Sequence, residues 1–222
     1  MAIAPSISDQ AETPNVRNSS QTGNPRIGAD DRAPRLLADF RAARSIKVGV
    51  SDMRVSKDRD AVLITHSLGS CIAVTVVDLT AGVAGLLHYQ LPDSAADVAR
   101  SKRSPLMYAD TGLAMMLDEI EHQGGCRSRL HVNIAGGASM LGVANGFDIG
   151  RRNHAGIRKA LWKQGLFLEA EDCGGHDPRT LSLRVRDGAV LIRNANHIYG
   201  LGPAAERALH QVGQAPSTGG VS

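Results

Sequence analysis

Residues 71 to 78, Cys-Ile-Ala-Val-Thr-Val-Val-Asp, are apolar or β-branched on both sides of any extended chain they form. A strand of that kind has no face to offer water, so it must lie in the middle of a sheet covered on both sides. Leu79-Thr80-Ala81-Gly82 reads as the turn into Val83 to His88, its expected hairpin partner. The fold therefore needs at least one buried sheet with a layer above it and a layer below.

The rest of the chain supplies those layers. Ile46, Val48 and Val50 alternate, and Met53 and Val55 continue out of phase, which predicts one bent or bulged strand. Strands are also expected over 61–65, 130–135 and 166–171. Thr180 to Arg186 and Ala189 to Arg193, joined by Asp187-Gly188, form the strongest hairpin signal in the chain. Two helices interrupt the strands. One spans about 107–123, with Leu113, Met116, Leu117 and Ile120 at helical spacing and Gly124-Gly125 as its stop. The other spans about 151–164, with Ile157, Leu161 and Trp162, and stops at Gly165. Strands outnumber helices, and the helices arrive singly between strand groups. That order implies an α/β (α+β) fold with a mixed or antiparallel sheet, not a doubly wound one.

The chain has 222 residues, which suits one domain. Residues 1 to about 34 are rich in Ser, Asn, Gln, Asp and Arg, with Pro5, Pro14, Pro25 and Pro34, and are expected to be disordered. A short helix can follow, with Leu36, Leu37 and Phe40 on one face. A marginal helix in solution is favoured over a docked one. The domain organisation expected is a disordered extension over 1–45, a folded domain over 46–200 and a loose tail over 201–222. Residues 93–105, with Arg100, Lys102 and Arg103, read equally well as a substrate-facing loop or a solvated one.

Aromatic residues make up only 3% of the chain, so its core must be aliphatic. A net charge of +3, evenly spread, does not argue for nucleic acid. No run is long and apolar enough for a spanning helix, so no membrane insertion is expected, and the first residues do not resemble a secretory signal. Cys71, Cys126 and Cys173 are odd in number and lack paired spacing, which argues against a disulfide framework and fits a reducing, cytoplasmic setting. Cys173 and His176 fall short of a closed zinc site. No cofactor and no metal are expected.

Chemistry points to one place. Gly69-Ser70 is a turn that opens the backbone N–H of Cys71 to an oxyanion, and His88 follows at the end of the next strand. A histidine there can manage the proton of a cysteine nucleophile. On spacing alone the plainer assignment, a core cysteine and a structural histidine, is favoured.

The stretches Thr65-His66-Ser67-Leu68-Gly69-Ser70-Cys71 and His88-Tyr89-Gln90-Leu91-Pro92 resemble CheD, the chemoreceptor glutamine deamidase of bacterial chemotaxis. So do Tyr108-Ala109-Asp110-Thr111, Ile134 to Met140, Ile149-Gly150-Arg151-Arg152-Asn153 and Glu169 to Gly175, in the family's order. The resemblance implies Cys71 as nucleophile, His88 as acid/base and Thr65 as the residue that orients it. It also implies that the loop of Gly136 and Gly137 lines the substrate and oxyanion region with Gly69 and Ser70. The implied fold is a β-sandwich flanked by helices, similar to the cytotoxic necrotizing factor deamidase domains. His66 and Ser67 depart from the small or apolar residues usual in the family and place a second imidazole near the site. His66 is expected to face outward if Thr65 faces inward.

The implied activity converts receptor glutamines to glutamates with release of ammonia. Its partners would be the helical cytoplasmic bundle of chemoreceptors and, secondly, the phosphatase CheC. An adaptor that serves CheC, and another thiol acyl-transfer enzyme such as a transglutaminase or amidase, are the alternatives. The catalytic reading carries further expectations. The Cys71 sulfur and a His88 ring nitrogen should face each other, Cys71 should be favoured as thiolate, and Cys126 and Cys173 should be ordinary thiols.

Overall fold

The computed structural model describes residues 32–139 and 148–214. Among these residues ten strands form two five-stranded sheets, packed face to face and covered on each outer side by helices. The elements in chain order begin with α1 (Arg32–Ala42), β1 (Arg44–Lys47), β2 (Asp52–Ser56), β3 (Ala61–Leu68), β4 (Ile72–Asp78) and β5 (Val83–Tyr89). Then come α2 (Val98–Arg103), α3 (Ala109–His122), β6 (His131–Gly136) and α4 (Ile149–Lys163). Last are β7 (Ala170–Cys173), β8 (Arg179–Arg184), β9 (Val190–Arg193), β10 (Ile198–Leu201) and α5 (Gly202–Gln214).

One sheet has the order β2-β5-β4-β6-β7, the other β1-β3-β8-β9-β10. Neighbours are antiparallel except β6 with β7 and β1 with β3. The mixed, mostly antiparallel α+β sandwich expected from the sequence is the fold found. β4 is buried at every position and sits at the centre of its sheet, as its two-sided apolar sequence requires. Its alternate residues divide between two cores. Ile72, Val74 and Val76 meet Leu113, Met116, Leu117 and Ile120 of α3 and Ile157 of α4. Ala73 and Val77 turn the other way, into the space between the sheets, with Leu63 of β3 and Leu181 and Leu183 of β8.

Three expectations are corrected. Residues 46–55 are not one bent strand: β1 and β2 belong to different sheets, and the chain crosses between them near Ser51, whose φ is 53°. The out-of-phase alternation marks this crossing. The expected disordered extension over 1–45 contains α1 within its described part, and α1 is docked. Leu36 and Phe40 are buried with Ala208 and Leu209 of α5 and with Val62 and Leu191 of the second sheet. Each such large side chain contributes roughly 1.5–3 kcal/mol when fully buried. The same cluster overturns the loose tail in 201–214, where Leu201, Ala205, Ala208 and Leu209 are buried. Residues 93–105 also hold more order than a plain loop. Asp97 caps α2, and Ser94 donates to Asp110 on α3 through both its N–H and its hydroxyl. Trp162 lies on the outer face of α4, 76% exposed, and plays no part in the core.

Candidate active site

β3 and β5 belong to opposite sheets, and each turns one polar side chain into the space between them. Thr65 and His88 are both buried there, and Thr65 Oγ1 is hydrogen-bonded to His88 Nδ1 at 2.7 Å. The other ring nitrogen, Nε2, is buried and has no hydrogen-bonding partner among the described residues, the Cys71 sulfur included. Burial alone pulls the His88 pKa down from its ordinary value to about 4, so the ring is neutral at pH 7. β4 pairs Ala73 directly with His88. Cys71 lies two residues before Ala73, just ahead of β4, diagonal to His88 in the strand register, and no hydrogen bond joins the two side chains.

The turn that presents Cys71 is held from several directions. Past Thr65, β3 loses its regular register against β8, a bulge in which Ser67 adopts a φ of 56°. This bulge turns His66 and Ser67 outward, where both are exposed, as expected for His66. Gly69 N–H donates to the Ser67 carbonyl at 2.9 Å. The Gly137 N–H donates to the Cys71 carbonyl and the Ala138 N–H to the Gly69 carbonyl, both at 2.8 Å. Gly136, with φ 123°, lets the end of β6 come this close. Gly69, Ser70, Gly136 and Gly137 therefore meet around Cys71. The rest of the loop, residues 140–147, lies outside the described residues.

Two residues with structural claims on this site were not named as site residues from the sequence, although Asn153 ends one of the resembling stretches. Arg179, at the start of β8 and 7% exposed, donates through Nη1 to the Gly136 carbonyl at 2.9 Å and through Nη2 to the Gly174 carbonyl at 2.6 Å. Its Nε pairs with Asp172 at 3.2 Å. An arginine opening a strand gives no sign of this in sequence. Asn153, on α4, is fully buried and donates to the Ser70 carbonyl. Its signal was present, since it shares the buried helix stripe of Gly150, Ile157, Ala160 and Leu161, where an amide is out of place.

The thiols differ from expectation. Burial pushes the Cys71 thiol pKa up, opposed by the residue's own backbone N–H, and His88 does not draw it down. With a neutral imidazole beside it, Cys71 rests as a thiol and not as a thiolate. Cys173 is pushed to about 12, first by burial. Cys126 is the one held below its ordinary value, chiefly through the Ser128 hydroxyl. A slow haloacetamide near pH 7 is therefore expected to modify Cys126 first, Cys71 next and Cys173 last, read by peptide mass spectrometry. Modification of Cys71 ahead of Cys126 would mean that the resting site is an ion pair.

Among the described residues no group of three or more His, Cys, Asp or Glu side chains is placed to hold a metal ion. No helix among them is long and apolar enough to cross a membrane.

The family model for CheD chemotactic sensory transduction matches residues 90–194. A probable chemoreceptor glutamine deamidase CheD of Solibacter usitatus is 43% identical over 148 residues, covering 67% of this chain and 88% of that protein. Its counterpart in Syntrophus aciditrophicus is 40% identical and covers 67% of this chain and 92% of the relative. One from Pyrococcus abyssi is 38% identical over 152 residues, covering 68% and 91%.

Proposed function

Because this chain belongs to the CheD family, we propose that it deamidates glutamine side chains of chemoreceptors, with Cys71 as nucleophile and His88 as its acid and base. The observation that carries this reading is the Thr65–His88 pair, a buried hydrogen bond between two sheets that leaves Nε2 without a partner among the described residues. With the Nδ1 proton directed at Thr65, Nε2 keeps its lone pair. It can then take the thiol proton as sulfur attacks the carboxamide carbon. The tetrahedral oxyanion forms beside the Cys71 N–H, which the 69–71 turn presents. Collapse breaks the C–N bond, and His88 returns the proton to the departing ammonia. Water, deprotonated in turn by His88, hydrolyses the thioester to glutamate and frees the thiol.

A neutral pair suits this order of events, because the proton moves only as the sulfur attacks. We assign the catalytic unit to residues 46–200, with α1 and α5 as its outer cover. A protein serving only as a CheC adaptor has no use for the buried Thr65–His88 bond, so that bond favours catalysis. CheC as a second partner is compatible with it.

The test is incubation with the cytoplasmic fragment of a receptor from the same organism, following ammonia and the masses of glutamine-containing peptides. Ammonia release matched by glutamine-to-glutamate conversion is expected from the wild type and not from Cys71→Ala. Absence of both from the wild type would sink the reading.

A further inference from the structure

Asn153 joins the ends of the two strands that carry Cys71 and His88. Its Nδ2 donates to the Ser70 carbonyl at 2.9 Å and to the Gln90 carbonyl at 2.7 Å. Its backbone carbonyl accepts the Tyr89 hydroxyl at 2.8 Å. Ser70 immediately precedes Cys71, and Gln90 lies two residues beyond His88. In a trans peptide the C=O and N–H point in opposite directions. A bond that fixes the Ser70 carbonyl therefore also fixes where the Cys71 N–H points. The flanking carbonyls of Gly69 and Cys71 are held by backbone donors, Ala138 and Gly137. Among the described residues the middle one is held by a side chain.

We propose that Asn153 is a positioning residue of the active site, whose amide aims the Cys71 N–H at the oxyanion. The proposal rests on the reading of Cys71 as an acyl-transfer nucleophile. An amide suits the task because one planar NH2 group has two hydrogens, one for each carbonyl. A hydroxyl has one donor, and a carboxylate has none.

Two reactions of the same sulfur separate this role from simple support. Alkylation by chloroacetamide displaces chloride at a saturated carbon and forms no oxyanion. Acetylation by p-nitrophenyl acetate does form one. The sulfur bonds to the carbonyl carbon, the thiol proton passes to His88, and p-nitrophenolate leaves with the bonding pair. Alkylation is counted at Cys71 by peptide mass spectrometry. Acetylation is counted by the p-nitrophenolate that wild type releases beyond Cys71→Ala, since His88 can go on to hydrolyse the acetyl thioester. Alkylation reports the access and ionisation of the same sulfur.

In Asn153→Ser the acetylation rate is expected to fall about 10- to 100-fold, while alkylation stays within about threefold of wild type. In Asn153→Asp the ratio should recover in part as pH falls, because a protonated carboxyl regains one O–H at the reach of the amide, which the shorter serine lacks. Should Asn153→Ser fail to fold, the pH dependence of Asn153→Asp decides. Equal loss of both reactions, no loss of either, or a ratio in Asn153→Asp that ignores pH overturns the proposal. So does a wild-type Cys71 that alkylates but does not acetylate. Neither reagent involves the receptor, so a wild type that leaves receptor glutamines intact tells against the substrate and not against Asn153.

Discussion

His88→Ala should slow ammonia release from the receptor fragment about 10²–10⁴-fold, with His66→Ala close to wild type. The two imidazoles are far from equivalent. His88 is buried against Thr65 with Nε2 unpartnered among the described residues, whereas His66 is exposed on the bulge, 3.5 Å from the Thr180 hydroxyl. The acid limb of kcat/KM should lie near pH 4, not at the 6.5 of a free histidine, because burial holds the ring neutral down to about 4. Stability follows the same shift. The folded pKa is below the unfolded one, so the contribution is complete above about 6.5 and lost as pH falls toward 4. Over that window it amounts to on the order of 3 kcal/mol. Urea midpoints of wild type and His88→Gln should therefore converge on acidification. Equal inactivation by His66→Ala and His88→Ala in folded proteins would show that the roles are shared or misassigned.

Gly136→Ala is expected to cost about 3–5 kcal/mol of stability and to abolish activity in whatever folds. A Cβ at this position would lie 2.2 Å from the Cys71 carbonyl oxygen and 3.1 Å from Ile72 Cα, both backbone atoms that no rotamer change can move aside. The φ of 123° adds strain for any L side chain. The Gly136 carbonyl is meanwhile fixed by Arg179 and by the Gly174 N–H, so the strand end cannot retreat. Relief must come from the Cys71 peptide, at the expense of its bond to Gly137. Gly82→Ala is the control: its φ is also positive, at 64°, but a Cβ there meets nothing within 4 Å. It should cost only about 1 kcal/mol. Urea unfolding of both variants checks the contrast, and equal costs would refute it.

Strand pairs joined by short turns were legible because each carries its own signal. β4–β5 and β8–β9 alternate or fill their faces within a few residues, and α3 shows its stripe without help. Which sheet a strand joins is not a local property. β1 and β2 are five residues apart yet lie in opposite sheets, and alternation reads the same in either. The covered faces of α1 and α5 were invisible for a related reason. Leu36 and Phe40 find Ala208 and Leu209 only when the two ends of the described chain come together. At the site, family resemblance made Cys71, His88 and Thr65 the candidates, and the structure joins the last two by a hydrogen bond. The protonation of the cysteine and the histidine was not legible, since burial across two sheets sets it. Asn153 could have been suspected from its place on an apolar stripe, whereas Arg179 finds its carbonyls only through the folded path of the Gly136 and Gly174 turns.

The meeting of α1 with α5 also bears on how the chain folds as it leaves a ribosome. The sheet β2-β5-β4-β6-β7 and its helices α3 and α4 are complete once Cys173 has emerged. The other sheet is still missing β8, β9 and β10 at that point, and Leu36 and Phe40 have no cover. Synthesis at roughly 5–20 residues per second leaves that surface waiting for seconds. Thr65 waits on the same unfinished sheet, so the half of the molecule that bears Cys71 and His88 can assemble before the sheet that orients the histidine is closed.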